Sequence, residues 1–166
     1  MSTKDFSSKQ ERKFADLMGW STVAASGARD FHAGDVRNQE WLGECKTHVD
    51  PGHKISFKLS VWSKLENEAR SEFKYPVYIV DDGSQDMKKT WCMFNAMNYQ
   101  FRDLISRNGD KNPEIRGSAS ISFSHDDMIG RYKMLDGEHP VLMVMLGARK
   151  LGIMPAVNFA EVFGSK

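Results

Sequence analysis

The segment 34–46, GDVRNQEWLGECK, decides how the fold of this chain is interpreted. Its second half continues as WLGECKT at 41–47, a pattern typical of a β-strand. A short extended piece at 34–37 comes before it, and a turn near Asn38–Glu40 separates the two. The segment therefore predicts two paired strands joined by a tight turn.

Three polar side chains of this segment are predicted to lie together. Side chains alternate along a strand, so Glu44 and Lys46 share one face with Leu42, while Cys45 points to the other face. The turn folds the preceding piece back and brings Asp35 beside Glu44. Two carboxylates and one ammonium group are thus expected at one place on the sheet.

The elements around this segment predict an α/β core. Ser8-Lys9-Gln10-Glu11 has the form of a capping box and predicts a helix start, with Gly19 as its stop. Residues 20–25 are typical of a strand, residues 56–73 of an amphipathic helix, and residues 76–80 of a buried strand. The order helix, three strands, helix, strand predicts a small mixed sheet flanked by helices.

The second half of the chain predicts further α and β elements packed on the same domain. They are a strand at 90–94, a helix at 95–106, a strand at 118–124, a hairpin of strands 140–146 and 151–154, and a terminal helix after Pro155. We divide the chain into a core at 1–84 and a C-terminal extension at 85–166, within a single domain.

Composition indicates a globular, intracellular protein. The chain has 166 residues, of which 40% are hydrophobic and 27% charged, enough for one buried core. No apolar run approaches the roughly 20 residues of a membrane helix. The N-terminus lacks the apolar region of a signal peptide. Cys45 and Cys92 form no disulfide framework and are expected to be reduced thiols.

The charge balance limits the ways in which this chain can bind nucleic acid. Lys and Arg number 23 against 22 Asp and Glu, which gives a net charge of +1. DNA-binding proteins need a positive surface that releases counterions from phosphates. Such a surface must therefore be created by folding, with the acidic residues gathered elsewhere.

The predicted cluster of Asp35, Glu44 and Lys46 has the chemistry of a metal-assisted hydrolase. Neighbouring carboxylates repel, and a hard divalent cation such as Mg²⁺ or Mn²⁺ relieves that conflict. The ligands would be the two carboxylates, the backbone carbonyl of Cys45 and water. Lys46 could then orient or deprotonate an attacking water and neutralise charge on a phosphate. The residue types therefore favour phosphodiester hydrolysis.

The same residues resemble the motif of the PD-(D/E)xK nuclease superfamily. The motif consists here of Gly34-Asp35, an eight-residue spacer and Glu44-Cys45-Lys46, with Gly34 where the superfamily often has Pro. The likeness to Holliday junction resolvases of the archaeal and phage type is more specific. Those enzymes also have a catalytic Glu on the first helix, a Ser-Gly loop before the Asp and an amphipathic helix after the Lys. Glu11 and Ser26 match the first two positions, and the predicted helix at 56–73 matches the third. The likeness covers roughly residues 5–82.

The resemblance implies a restriction-endonuclease-like core with a variable C-terminal α+β extension. It implies a Mg²⁺-dependent homodimer that makes two cuts in branched DNA, most specifically at a four-way junction, without an organic cofactor or a membrane. Glu11, Ser26, Asp35, Glu44 and Lys46 would be catalytic, and Glu11 would complete the metal site or bind a second metal. Glu11 could instead be only a helix cap.

Five basic residues are candidates for contacts with DNA phosphates because they lie in the loops and helix nearest the cluster. They are Arg29, Arg37, Lys54, Lys58 and Lys64. Each taken alone is better explained as a solvated surface charge. Two other functions stay open: a restriction-type or general DNA-processing nuclease of the same fold, and a nucleic-acid-binding protein without catalysis.

Overall fold

The computed structural model describes residues 3–23 and 34–165. Within them, four helices are α1 Thr3–Met18, α2 Leu59–Ser71, α3 His125–Tyr132 and α4 Ala156–Phe163. The strands are β1 Ser21–Thr22, β2 Val36–Arg37, β3 Trp41–Lys46, β4 Ile55–Lys58, β5 Tyr75–Asp81, β6 Thr90–Phe94, β7 Ser106–Asn108, β8 Ile115–Gly117, β9 Ser120–Phe123, β10 Pro140–Leu146 and β11 Arg149–Pro155.

Nine of these strands form one mixed sheet. Its order is β1-β2-β3-β5-β6-β11-β10-β7, with β8 also pairing β10, and β4 and β9 form a separate two-stranded ribbon. The β3–β5, β10–β7 and β10–β8 pairs are parallel, whereas the other pairs in the sheet are antiparallel. The predicted α/β architecture with a central mixed sheet is confirmed.

The hairpin predicted from the segment 34–46 is present. Strands β2 and β3 pair antiparallel, with Val36 opposite Gly43. The Asn38 side chain closes the turn: its Oδ1 accepts from the amides of Glu40 at 2.9 Å and Trp41 at 2.7 Å. Helix α2 then carries the chain over the sheet to β5, which runs parallel to β3.

The two faces of the sheet are covered by different elements. On one face, α1 and α4 surround Trp41, whose ring centroid lies 6.2 Å from that of Trp20 and 5.2 Å from that of Phe159. The β4–β9 ribbon covers part of the other face, where Phe57 meets Tyr78 with a centroid distance of 5.0 Å. These side chains are buried, so the sheet lies between two apolar layers.

Two predicted helix starts are wrong. Helix α1 begins at Thr3, so Ser8 and Glu11 lie inside it and form no capping box. Nothing between Thr3 and Ser8 interrupts a helix, and Ser8 alone does not start one. Helix α2 begins at Leu59 rather than near residue 56, because Ile55–Lys58 pairs with β9 and buries alternate side chains. The pairing of β4 with the distant strand β9 determines the structure there, although the apolar residues have helical spacing.

The helix predicted at 95–106 is also wrong. This stretch has a single 3-10 turn, Tyr99–Phe101, and ends in β7. The side chains of Asn95 and Asn98 accept from the amides of Met97 and Gln100 at 3.1 and 2.9 Å. These local bonds stabilise turns in competition with a helix.

Helix α3 was missed from the sequence. Its start carries the pattern Ser-x-x-Asp, and Ser124 Oγ accepts from the amide of Asp127 at 3.5 Å. Strands β7 and β8 were missed as well, since three residues carry too little periodicity to recognise.

The main sheet continues across residue 84, where we divide core from extension. Strand β6 pairs with β5, and β11 pairs with β6. The ribbon likewise joins β4 of the first part to β9 of the second. Among the described residues, none of the helices has the length and apolar character needed to cross a membrane.

Candidate catalytic site

The hairpin of β2 and β3 fixes the position of Asp35. Its amide donates to the Gly43 carbonyl at 2.8 Å, and its carboxylate Oδ2 accepts from the Cys45 amide at 2.8 Å. The Asp35 side chain thus bends back over the strand that carries Glu44, as the turn in the sequence predicts.

Gly34 has a conformation that only glycine adopts readily. Its φ is +78°, and a Cβ at this position would lie 2.6 Å from Cδ1 of Leu42. Proline fixes φ near −65° and cannot replace it. The shape of this hairpin therefore explains why glycine is present where the superfamily motif often has proline.

Glu44 and Lys46 lie on the same face of β3, as the alternation predicts. The Lys46 Nζ is 3.0 Å from Glu44 Oε1. The side chain of Lys46 is 51% exposed and that of Glu44 is 21% exposed, so the pair is open to a ligand. Cys45 is buried against the other face.

Helix α1 adds Glu11 to the same electrostatic cluster. Burial, followed by the charges of Asp35 and Glu44, raises the pKa of Glu11 to about 7. Since Glu11 lies well inside the helix, the alternative that it is only an N-terminal cap is excluded. The raised pKa places the Glu11 carboxyl group close to the carboxylates of Asp35 and Glu44.

Asp35 and Lys46 are affected by the same crowding of charges. Burial and the charge of Glu44 raise the pKa of Asp35 to about 6, against the opposing effect of the Cys45 amide. Burial alone would lower the pKa of Lys46, but its hydrogen bond to Glu44 and the charge of Asp35 outweigh that effect and raise it. The cluster favours bound protons or a bound cation.

The donor set fits a divalent metal in chemical type and in charge. Three carboxylates in mutual repulsion are suitable oxygen ligands for Mg²⁺ or Mn²⁺. Across residues 3–23 and 34–165, however, no three His, Cys, Asp or Glu side chains form a ready group of metal ligands. Glu44 Oε1 is engaged by Lys46 instead. Metal binding would therefore require side-chain rearrangement. The Cys45 carbonyl stays a predicted ligand.

Gln10 supports this cluster and was not predicted. It is fully buried, and its Nε2 donates to the Lys46 carbonyl at 2.8 Å and to Asp81 Oδ1 at 3.3 Å. Asp81 also accepts from the Gln85 amide at 2.6 Å. A glutamine next to Glu11 on a polar stretch of helix gives no sequence signal for this role. Gln10 ties α1 to the ends of β3 and β5.

Tyr78 is a second residue that sequence reasoning missed. It lies opposite Glu44 in the parallel register of β3 and β5 and is almost fully buried. Its hydroxyl accepts from the Lys58 amide at 3.3 Å. Burial raises its pKa, although Lys46 acts in the opposite direction. In the sequence it is only one member of an apolar strand.

The residues that were predicted to contact DNA lie in different parts of the structure. Lys64 lines a cavity of about 270 Å³ together with Glu44 and Lys46. Lys54 lines a separate cavity of about 340 Å³. Lys58 is exposed beside Tyr78. The guanidinium group of Arg37 forms an ion pair with Glu72 at 2.7 Å, and this contact joins β2 to the end of α2.

Two predicted site residues lie outside the described part of the chain. They are Ser26, the predicted catalytic hydroxyl, and Arg29, a predicted phosphate contact. The described site therefore comprises Glu11, Asp35, Glu44 and Lys46.

Comparisons with protein-family models, with curated proteins and with solved structures gave no match.

Proposed function

We propose that this protein is a metal-dependent endonuclease with a restriction-endonuclease-like core. The observation that carries the proposal is the gathering of three carboxylates, from α1 and from the β2–β3 hairpin, beside Lys46. The parallel β3–β5 pair bridged by α2 adds support, because it follows the element order that the resemblance implies.

The proposal gives each residue of the cluster a role. Asp35, Glu44 and Glu11 would hold Mg²⁺, and Mn²⁺ could substitute for it. The ion would polarise a phosphodiester and acidify a water molecule. Lys46 would orient that water or balance phosphate charge, and the cavity it shares with Lys64 offers space for the phosphate.

The proposed substrate is branched DNA, most specifically a four-way junction. Support for this choice comes from the resemblance, through Glu11 and the Ser-Gly loop at Ser26. A junction has two strands to cut, so the proposal includes a homodimer with one site in each subunit.

The test is cleavage of a synthetic four-way junction with Mg²⁺, alongside linear, nicked and single-stranded DNA of the same sequence. We expect the wild type to cut the junction. We expect Asp35→Asn and Lys46→Ala each to reduce the rate at least a hundredfold, since each removes a ligand or a charge at the reacting phosphate. Lys111→Ala, an exposed change outside the cluster, is the control.

Three outcomes of this assay have clear meanings. Equal activity in all variants contradicts the proposed site. Equal cleavage of junction and linear duplex favours a restriction-type or general nuclease. A wild type that cuts none of these DNAs, but binds the junction in a gel-shift measurement, favours the non-catalytic protein. The Lys46–Glu44 pair and the lack of a ready three-ligand group in the described chain also support that alternative.

A further inference from the structure

A second polar cavity lies at the end of the β4–β9 ribbon where β4 begins. It has a volume of about 340 Å³, and its wall includes His53, Lys54, Asp82, Lys89 and His125. It is formed where the segment before β4, the end of β5 and the start of α3 meet. Of this group, Lys54 is a predicted DNA contact, and nothing in the proposed chemistry uses the cavity.

Strand β4 connects the two places. Lys54 comes just before β4, and Lys58 at its far end donates to Tyr78, the register partner of Glu44. Four residues of strand span about 13 Å. Asp82 also lies only two residues beyond Val80, the register partner of Lys46. A strand of DNA held at Lys46 therefore needs only a few nucleotides to reach the cavity.

The cavity combines groups that recognise different parts of a nucleotide. Lys54 and Lys89 are exposed, and neither forms an ion pair with any residue that the structure describes. Two such ammonium groups suit a phosphate. Asp82 and Asp126 also line the cavity, so its charge is mixed and does not suit an anion alone.

Asp82 is a hydrogen-bond acceptor fixed at the wall. It is almost completely buried, and its Oδ1 accepts from the amide and the hydroxyl of Ser84. Its other oxygen, Oδ2, accepts no hydrogen bond from the part of the chain that the structure describes. A carboxylate of this kind pairs with the exocyclic amino group of a base such as cytosine.

An imidazole stack provides a flat surface beside these groups. The rings of His48 and His53 lie parallel, with centroids 4.1 Å apart and an interplanar angle of 14°. Both residues are exposed. Proteins that bind single strands commonly combine such aromatic platforms with basic side chains.

We propose that this cavity binds one unpaired nucleotide of a DNA strand, with its phosphate at Lys54 and Lys89, its base on His53 and its amino edge at Asp82. A base that is paired and stacked in a duplex cannot enter such a space without leaving the stack. The inference rests on the proposed nuclease function and deepens it, because it predicts that the preferred branched DNA carries an unpaired nucleotide beside the site of cleavage.

The experiment uses two labelled single strands of 12 nucleotides, one of deoxycytidine only (dC12) and one of thymidine only (dT12). Their binding is measured by fluorescence anisotropy over a range of salt concentrations with EDTA present. We expect the full-length wild type to bind dC12 more tightly than dT12, since thymine lacks the amino group. Lys54→Ala/Lys89→Ala should weaken both complexes about tenfold and reduce the salt slope by about 0.7, the value for one neutralised phosphate on a single strand. Lys111→Ala/Lys150→Ala, which removes two lysines outside the cavity, should change neither.

Asp82→Asn tests the base contact separately. It should remove the preference for dC12 while leaving the affinity for dT12 within about twofold, and a thermal melt confirms that the variant folds. Cavity variants that bind both oligonucleotides like the lysine control overturn the proposal, and so does a dC12 preference that survives in Asp82→Asn. Because the assay involves no cleavage, a protein that binds as expected but cuts no DNA refutes the nuclease function and not the cavity.

Discussion

Asp35 and Glu11 are carboxyl groups whose pKa is raised by folding, to about 6 and about 7. Their ordinary values are 3.8 and 4.5, so the folded protein binds protons more tightly than the unfolded chain does. The contribution of these two groups to stability therefore falls as pH rises through the window from about 4 to about 7. A protein whose carboxylates destabilise its own fold at neutral pH gains from a cation that binds between them.

The first prediction is that Asp35→Asn stabilises the protein at pH 8 in EDTA. The amide keeps an oxygen for the Cys45 amide but carries no charge, which burial disfavours and Glu44 repels in the wild type. We expect a gain on the order of 1 kcal/mol after allowing for solvent screening, or a melting temperature about 2–4 °C higher. At pH 4 wild type and variant should melt alike, because the wild-type carboxyl is then protonated.

Added Mg²⁺ completes this test. It should raise the melting temperature of the wild type at pH 8, since a ligand of the folded state stabilises it, and should raise that of Asp35→Asn less. A variant that is less stable than the wild type at pH 8 contradicts the unfavourable charge of Asp35 on which the metal argument depends.

At the scale of the element, the β2–β3 hairpin positions the site, and Gly34 is its most restrictive residue. Gly34→Ala is expected to strain the backbone and drive a methyl group into Leu42. Gly52→Ala is a matched control, because Gly52 also has a positive φ, +85°, but no atom of the described structure lies within 4 Å of the added methyl group.

We therefore expect the two alanine variants to differ. Gly52→Ala should lower the free energy of unfolding by about 1 kcal/mol, the backbone effect alone. Gly34→Ala should lower it by about 2–3 kcal/mol, because overpacking adds to the strain, and should abolish cleavage by moving Asp35. Urea denaturation measures the first quantity and the junction assay the second. Equal costs for both variants would show that the hairpin tolerates the methyl group.

The same elements show which parts of the fold and of the candidate site could be predicted from the sequence. The hairpin could be predicted because its turn and its alternating strand are local patterns, confirmed by the Val36–Gly43 register. Strand β4 could not be predicted, since its partner β9 lies more than 60 residues away. Asn95 and Asn98 stopped a helix through side-chain bonds that a count of apolar residues ignores. Gln10 and Tyr78 acquire their places beside the cluster only through tertiary packing.

At the scale of the whole molecule, the two parts of the chain form one sheet. Val77 and Ile79 of β5 are fully buried, and β5 is hydrogen-bonded on one side to β3 and on the other to β6. Helix α4, at the far end of the chain, packs Phe159 against Trp41. A chain that ends at residue 84 would expose one edge of β5 and the apolar face that α4 covers.

The last prediction follows from this arrangement: residues 1–84 alone should not fold. The fragment loses the β5–β6 and β4–β9 pairings, so its remaining burial is too small to offset the conformational entropy of ordering the chain. Far-UV circular dichroism and tryptophan fluorescence should show no cooperative urea transition for it, whereas the full chain should unfold in one transition seen by both probes. A fragment with its own sharp transition would show instead that the core is an independent unit, with the C-terminal half added to a fold already complete.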